Sequence, residues 1–246
     1  MTKPSYKEQP LSGNSNEFQR NLMASKLNWL RAGVLGANDG VMSVSGVVLG
    51  VAASTNVEST AILVAGVAAV VAGSISMAGG EYTSVSVQRD SEKAALEIER
   101  TELANDPEGE LRELAWFYEQ KGISPKVALL VAEELTSHDA LAAHAEAELG
   151  IDPNHHVSPI QAALSSLVAF AAGGLLPLLA VIGPWEHYRV QATVGSVVLA
   201  LVLTGFVGAK IGGAKPARGI VRNVFVSSLT MGVTYLIGLL VGTHLI

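Results

Sequence analysis

The sequence predicts an all-α, polytopic membrane protein with five transmembrane helices and a three-helix cytosolic insert between helices two and three. Three observations lead to this fold class. The 246 residues have a mean hydropathy of +0.38. Only 15% of them are charged, against roughly 25% in soluble domains, and most acidic residues lie in one stretch between apolar ones. Cysteine is absent, which excludes disulfides and thiolate metal sites.

Five apolar segments have about the 20 residues that a helix needs to cross the hydrocarbon core of a bilayer. Glycine and other small residues recur in all of them, as is usual where membrane helices pack closely. The first 28 residues are polar and lack the apolar core of a signal peptide, which predicts a flexible cytosolic tail. The five segments cover residues 30–53, 59–80, 159–182, 190–209 and 223–246.

Basic residues predict the orientation, because they are enriched in the cytoplasmic loops of membrane proteins. The amino terminus, the insert and the link between segments four and five are therefore predicted to be cytosolic, and five crossings place the carboxyl terminus outside. The lack of a targeting segment favours a prokaryotic cell membrane; in a eukaryote we expect the vacuolar membrane. The basic residues are Arg20, Lys26 and Arg31 before or at the start of the first segment, and Lys210, Lys215, Arg218 and Arg222 before the fifth.

The second segment is predicted to continue as one helix well beyond the membrane. Residues 59–80 carry no charge over 22 positions, and charged residues then recur from Glu81 to Arg100 without a proline. Pro107 ends the helix, which is predicted to reach residue 104. Where the composition changes, Met77 and Glu81 are four residues apart and share one helix face. A thioether and a carboxylate in this position indicate cation handling.

The insert is strongly acidic. Residues 90–152 contain 16 Asp and Glu against 5 Lys and Arg, a local charge of −11, while the rest of the chain has a charge of +5. Such a domain attracts metal cations and repels nucleic acid. Capping residues predict further helices at 108–121 and 125–149. The chain thus divides into a tail (1–28), transmembrane helices one and two (29–89), an acidic metal-binding domain (90–152) and transmembrane helices three to five (153–246).

Asp39 is the first candidate ligand near the membrane. It lies eight residues, or about 12 Å of helix, beyond Arg31, and Glu81 lies eight residues before Arg89 on a helix of opposite direction. If the two helices are neighbours, both carboxylates lie at a similar depth and could bind a divalent ion together with Met77, whose sulfur favours a transition metal over Mg²⁺ or Ca²⁺. The alternatives are solvated carboxylates at the headgroup boundary and a methionine that only packs.

Acidic pairs at helical spacing supply a second set of candidates. Two ligands at i and i+3 or i+4 share one helix face, and three such faces meeting in a bundle would form a carboxylate-rich metal site with one imidazole. The alternative is that most of these acids are solvated, which is the interpretation we keep for Glu119, Glu133 and Glu134. The pairs are Glu99 with Glu102, Glu110 with Glu113, and His144 with Glu148.

The sequence also lacks the common motifs of enzymes. The sequence has no phosphate-binding Gly-x-x-x-x-Gly-Lys loop, no nucleophile elbow and no His-Glu-x-x-His. The chain is therefore predicted not to be an enzyme, and no cofactor is expected beyond a divalent metal.

These motifs together resemble the vacuolar iron transporter family over residues 28–246. The resemblance is carried by Asn38-Asp39-Gly40, by the run from Ser74 to Tyr82 that includes Met77 and Glu81, and by the two Glu-x-x-Glu pairs. It implies a homodimer of five-helix protomers that moves Fe²⁺, with Mn²⁺ as a second candidate, out of the cytosol in exchange for protons. Where plant members carry methionines in the third insert helix, this chain has His144 and Ala145.

The resemblance also assigns residues. It implies a transport site of Asp39, Met77 and Glu81, and a cytosolic metal-binding domain that holds Fe²⁺, Mn²⁺ or Zn²⁺. Two other functions stay open: a membrane-tethered iron buffer or sensor without transport, and a passive cation channel. The ligands implied for the cytosolic domain are Glu99, Glu102, Glu110, Glu113 and Glu148.

Overall fold

The computed structural model describes residues 13–53, 58–153 and 157–244. This part of the chain is all-helical, and five of its helices are long and apolar enough to cross a membrane, as predicted. A π-helical turn covers Ala145–Leu149 and a 3-10 turn covers Glu186–Tyr188. The α-helices are α1 (Gly13–Ala52), α2 (Ser59–Asn105), α3 (Pro107–Gln120), α4 (Pro125–His144), α5 (Pro159–Val181), α6 (Arg189–Ile211) and α7 (Pro216–His244).

Two helices begin earlier than the apolar segments do. Residues 13–28 belong to α1, where the sequence predicts a flexible tail, because this polar stretch contains no proline and no β-branched residue that would disfavour a helix. Helix α7 begins at Pro216 rather than at residue 223, since proline is well suited to the first helical position. Arg218 and Arg222 therefore lie on α7 and not in the link before it.

The chain forms two compact units, and the first consists of Met1–Ala78 and Gln161–Ile246. Helix α1 contributes to two separate cores of this unit. One core contains residues of α1, α2 and α5, among them Val44, Ile62 and Phe170. The other contains residues of α1, α6 and α7, among them Val41 and Leu201. Helix α1 is thus the central helix of the unit, buried on two faces.

Glycines allow α1 and α5 to approach each other closely. A Cβ atom at Gly36 would come within 2.7 Å of the Ser166 carbonyl oxygen, and one at Gly40 would overlap the Phe170 carbonyl. A Cβ atom at Gly173 of α5 would in turn overlap the Ala37 carbonyl. Backbone therefore packs on backbone along this pair, as small residues permit in membrane helices.

The second unit is Gly79–Ile160 and contains the rest of α2, then α3, α4 and the π-helical turn. Helix α3 starts with Asp106, whose side chain accepts a hydrogen bond from the Gly109 amide at 2.9 Å, followed by Pro107 at the first helical position. Gly122, with a φ of 90°, ends the turn that reverses the chain into α4. The core between α3 and α4 consists of Leu114, Ala115, Ala132 and Ala143.

The third insert helix differs from the continuous helix 125–149 that the sequence predicts. Asp139 has an extended backbone, with φ −158° and ψ 96°, and its carboxylate accepts a hydrogen bond from the Ala142 amide at 3.0 Å. Asp139 therefore acts as a helix cap inside the segment and divides α4 into two pieces. The segment then ends in the π-helical turn, which stops at Gly150 with a φ of 65°.

Candidate metal centre

Four ligand-type side chains meet in the second unit, one from each of four consecutive helical elements. Glu99 comes from α2, Glu110 from α3, His144 from the last turn of α4 and Glu148 from the π-helical turn. The His144 side chain is fully buried and the Glu99 side chain is 3% exposed. A buried carboxylate is rare in a folded protein unless it is paired or coordinates a metal.

The three carboxylates converge on one nitrogen of the imidazole. His144 Nδ1 lies 2.9 Å from Glu99 Oε1, 3.6 Å from Glu110 Oε2 and 3.9 Å from Glu148 Oε2. Ligand atoms of Glu99, His144 and Glu148 all lie within 4.8 Å of one another. A single metal ion at about 2 Å from each donor fits between atoms spaced in this way.

Hydrogen bonds do not account for this arrangement. Although Glu99 Oε1 and His144 Nδ1 are 2.9 Å apart, neither atom nor His144 Nε2 has a hydrogen-bond partner in good geometry. The carboxylate oxygen is therefore out of line with the ring N–H direction. The Glu110 backbone lies close enough to the imidazole to favour its protonated form, but burial outweighs that effect. Buried polar atoms without partners cost about 1–3 kcal/mol each, and a bound cation would remove that cost for the atoms that ligate it.

Burial and mutual repulsion alter the protonation of the cluster. Burial, together with the charges of Glu148, Glu110 and other carboxylates, raises the pKa of Glu99 from 4.5 to about 7. Burial also raises the pKa of Glu110 and of Glu148, and it lowers the pKa of His144. Without metal, burial therefore favours a neutral imidazole and protonated carboxyl groups in the cluster. A divalent cation would displace these protons.

The other two predicted ligands lie near this cluster without entering the contacts around His144. Glu102 and Glu113 are exposed, and their charges help to raise the pKa of Glu110 and of Glu148. Glu133 and Glu134 are exposed as well. Of the six residues proposed for the insert, four thus come together at one point and two supply additional negative charge beside it.

Asp139 is a residue that the sequence analysis did not single out. It caps the final piece of α4, five residues before His144, and thereby sets the direction in which this histidine projects. A sequence signal was available, because aspartate is among the preferred N-cap residues and is uncommon within a helix. Its position inside an otherwise helical pattern concealed that signal.

The three residues predicted for the transport site are divided between the two units. Asp39 is partly buried on α1 and accepts a hydrogen bond from Ser43 Oγ at 2.9 Å. Met77 packs against the core formed by α1, α2 and α5. Both belong to the first unit, whereas Glu81, partly buried on α2, belongs to the second. Their role as a joint site stays a prediction.

Five apolar helices and a separate carboxylate–imidazole cluster define a membrane protein with a candidate site for a divalent metal. The VIT family matches residues 30–239 of the chain. The chain belongs to this family, which confirms the resemblance seen in the sequence. Family membership also agrees with the prediction that the chain is not an enzyme.

Curated relatives give the same result. The chain is 43% identical over 215 residues to a vacuolar iron transporter of Acanthamoeba castellanii, covering 86% of this chain and 78% of the relative. It is 37% identical over 222 residues to vacuolar iron transporter homolog 1 of Oryza sativa, covering 89% and 77%. It is 32% identical over 222 residues to vacuolar iron transporter homolog 2 of Arabidopsis thaliana, covering 90% and 88%.

Proposed function

We propose that this protein transports Fe²⁺ out of the cytosol across its membrane and that the cluster around His144 collects the ion. The observation that carries the proposal is the meeting of Glu99, Glu110, His144 and Glu148 at one point. Glu99 and His144 are buried there, and Glu99 Oε1 and both ring nitrogens of His144 lack hydrogen-bond partners. Mixed carboxylate and imidazole ligands suit Fe²⁺, Mn²⁺ and Zn²⁺. The names of the curated relatives favour iron as the cargo, with Mn²⁺ as a second substrate.

The route through the membrane is proposed to use Asp39, Met77 and Glu81. The support is the sequence spacing, which places the two carboxylates at similar distances from Arg31 and Arg89 on helices of opposite direction. A carboxylate inside a bilayer costs about 3 kcal/mol on insertion scales, so such residues usually have a functional partner. The resemblance to the vacuolar iron transporter family implies in addition that two protomers form a homodimer around this path through the membrane.

Transport is proposed to be driven by proton exchange. A carboxylate binds either a proton or a metal ion, because a ligand must be deprotonated. Protons that enter from the far side would therefore compete for Asp39 and Glu81 and release the metal there. The insert would lie on the cytosolic side in the cell membrane of a prokaryote or, in a eukaryote, in the vacuolar membrane.

Proteoliposomes containing the purified full-length protein and an internal Fe²⁺ reporter test the proposal. We expect metal uptake that requires a pH gradient in the wild type and that Asp39→Ala abolishes. The same variant should bind metal at the insert with unchanged affinity, because the insert cluster does not include Asp39. Full uptake by Asp39→Ala would refute the transport site, and uptake without a gradient would indicate a channel.

A second pair of variants tests the collecting cluster. Glu99→Gln keeps the shape of the side chain but removes an anionic ligand, so we expect metal binding to the insert to weaken by at least the roughly 10- to 100-fold that is typical when a residue supporting a metal ligand is replaced. Glu133→Gln, an exposed acid of the same unit, is the matched control and should bind as the wild type does. If the wild-type protein binds metal but no metal enters the proteoliposomes, the protein is a membrane-tethered buffer and not a transporter.

A further inference from the structure

A cavity of about 410 Å³ lies in the first unit between α1, α6 and α7, and both apolar and polar residues line it. Two arginines line it, Arg31 of α1 and Arg222 of α7, and the described side chains of its lining include no aspartate or glutamate. Deeper along α1, about 10 Å beyond Arg31, the cavity reaches Asn38. Gly208 of α6 makes room for the cavity and lets Val34 approach the α6 backbone.

The inner end of this cavity is a cluster of neutral hydrogen-bonding groups. Asn38 Oδ1 accepts hydrogen bonds from Asn223 Nδ2 at 3.2 Å and from Thr204 Oγ1 at 3.3 Å. All three residues line the cavity. The cavity thus combines cationic guanidinium groups with amide and hydroxyl groups, which is a lining suited to an anionic group that carries hydroxyls.

The two arginines have no acidic partner among the side chains that the structure describes. Ion pairs in that part of the chain involve Arg89, Arg100 and His144, and not these two residues. Both arginines nevertheless belong to apolar helices that are candidate membrane spans. Arginine in such a position is costly unless a counter-charge or the headgroup region accommodates it. A bound anion would provide that counter-charge.

An apolar groove adjoins the cavity. It has a volume of about 610 Å³ between α1, α5 and α6 and is lined mainly by side chains such as Trp29, Val168 and Val207. Both volumes fall in the range of about 300–1,000 Å³ typical of ligand sites. The groove and the cavity beside the two arginines share four lining residues: Leu30, Val34, Thr204 and Ile211.

We propose that this composite site binds an anionic phospholipid of the surrounding bilayer. Its phosphate contacts Arg31 and Arg222, because guanidinium groups bind phosphate oxygens in a bidentate manner. One acyl chain lies along the apolar groove. Basic pockets between membrane helices are a recognised basis of lipid headgroup selectivity. The adjoining groove favours a lipid over free phosphate, since phosphate has no apolar part to occupy it.

Native mass spectrometry of the detergent-purified full-length protein tests this site, with phosphatidylglycerol and phosphatidylcholine of identical acyl chains as probes. In 0.3 M ammonium acetate the Debye length is about 6 Å, so distant surface charges contribute little. We expect the wild type to bind phosphatidylglycerol about tenfold more tightly than phosphatidylcholine. The double variant Arg31→Gln/Arg222→Gln should lose this preference.

The matched control is Lys210→Gln/Lys215→Gln, which removes two charges at the same end of α6 and α7 but outside the cavity lining. It should keep the preference within about twofold. An equal loss in the control would overturn the proposal in favour of general surface attraction. Displacement of the lipid by 10 mM inorganic phosphate would also overturn it, because the site would then be a phosphate site.

The groove is tested independently of the arginines. Val168 is 62% exposed on α5 and lines the groove, so Val168→Trp should fill space there without disturbing a core. We expect weaker binding of long-chain phosphatidylglycerol and unchanged binding of the dihexanoyl form, whose chains are too short to follow the groove. Unchanged binding of both lipids would refute the assignment of the groove to an acyl chain. The comparison of the two lipids with Val168→Trp still tests the proposal if the double arginine variant fails to fold.

Discussion

His144 has no exposed surface, yet carboxylates from α2, α3 and the π-helical turn surround its Nδ1 atom. At the scale of single residues, this is an unfavourable arrangement in the absence of metal. Three acids near one another repel, and burial deprives them of water. Because charged side chains are unfavourable there, the pKa of Glu99 is raised and the pKa of His144 is lowered. A cation would convert the same residues into a stabilised cluster.

The pKa of Glu99 leads to a prediction about stability. Glu99 ionises near pH 4.5 in the unfolded chain and near 7 in the folded one, so the folded chain holds the extra proton between these values. The contribution of Glu99 to the free energy of unfolding of the metal-free protein therefore falls by up to about 3 kcal/mol as the pH rises from 4.5 to about 7. His144 acts in the opposite sense below pH 6.5, because burial lowers its pKa.

Comparison with Glu99→Gln isolates the contribution of Glu99. Thermal unfolding in the presence of a chelator, followed from pH 4.5 to 7.5, should show the variant gaining stability relative to the wild type as the pH rises. Glu133→Gln is the control, because this exposed residue is outside the cluster, and should follow the wild type. Parallel profiles for wild type and Glu99→Gln would contradict the assigned protonation.

At the scale of one element, the break in α4 determines where His144 lies. A continuous helix from residue 125 would carry position 144 in a different direction from the one that the final piece takes after Asp139. The cap at Asp139 redirects the chain, and the π-helical turn then brings Glu148 onto the same nitrogen. The candidate metal centre thus depends on an interruption of helical periodicity.

Replacing Asp139 should therefore affect both stability and metal binding. Asp139→Ala removes the acceptor of the Ala142 amide and should cost about 1 kcal/mol, seen in chemical unfolding and in faster amide exchange over residues 140–149. Metal affinity should fall as well, because His144 loses its fixed direction. Ser124→Ala is the matched control, since the Ser124 side chain makes no capping hydrogen bond. Equal effects of the two substitutions would exclude the proposed role of the cap.

Helix α1 provides a second prediction at the element scale. Gly40→Ala would force α1 and α5 apart, because the new methyl group would meet the Phe170 carbonyl, and we expect lower thermal stability of the detergent-solubilised protein. Gly79→Ala is the control, since nothing lies within 4 Å of its Cβ position, and it should be tolerated or stabilising, as alanine favours a helix by about 1 kcal/mol. Similar melting temperatures for the two variants would show that α1 and α5 are not closely packed.

At the scale of the whole molecule, the charge is divided between an acidic insert and a basic, apolar remainder. An acidic surface raises the local concentration of cations, while the basic residues fix the predicted orientation. Five spans predict that the insert and the link between α6 and α7 share one side of the membrane and that the link between α5 and α6 lies on the other.

Introduced cysteines test this orientation, because the natural chain contains none. Ser137→Cys in the insert and His187→Cys in the link between α5 and α6 both replace exposed residues. In intact bacterial cells expressing the protein, an impermeant thiol reagent should label the second variant only. In permeabilised cells it should label both. Labelling of Ser137→Cys in intact cells would place the insert outside and reverse the proposed direction of transport.

The sequence by itself determined the membrane spans, the acidic insert and the family. Apolar runs of about 20 residues have few alternatives to a membrane helix, and the long course of α2 follows from the absence of a helix breaker before Pro107. Spacing also identified Glu99, Glu110, His144 and Glu148 as candidates, because helical periodicity predicts which ligands share a face.

Only the tertiary structure decided which of those candidates meet. Periodicity within a helix does not specify how separate helices are arranged, so the sequence could not distinguish Glu99 from Glu102 or Glu110 from Glu113. Packing of Leu114 and Ala115 against Ala132 and Ala143 sets α3 on α4, and the break at Asp139 then turns His144 inward. The burial that alters the protonation of Glu99 and His144 is likewise a property of the packed unit, because it requires side chains far apart in the chain to exclude water together.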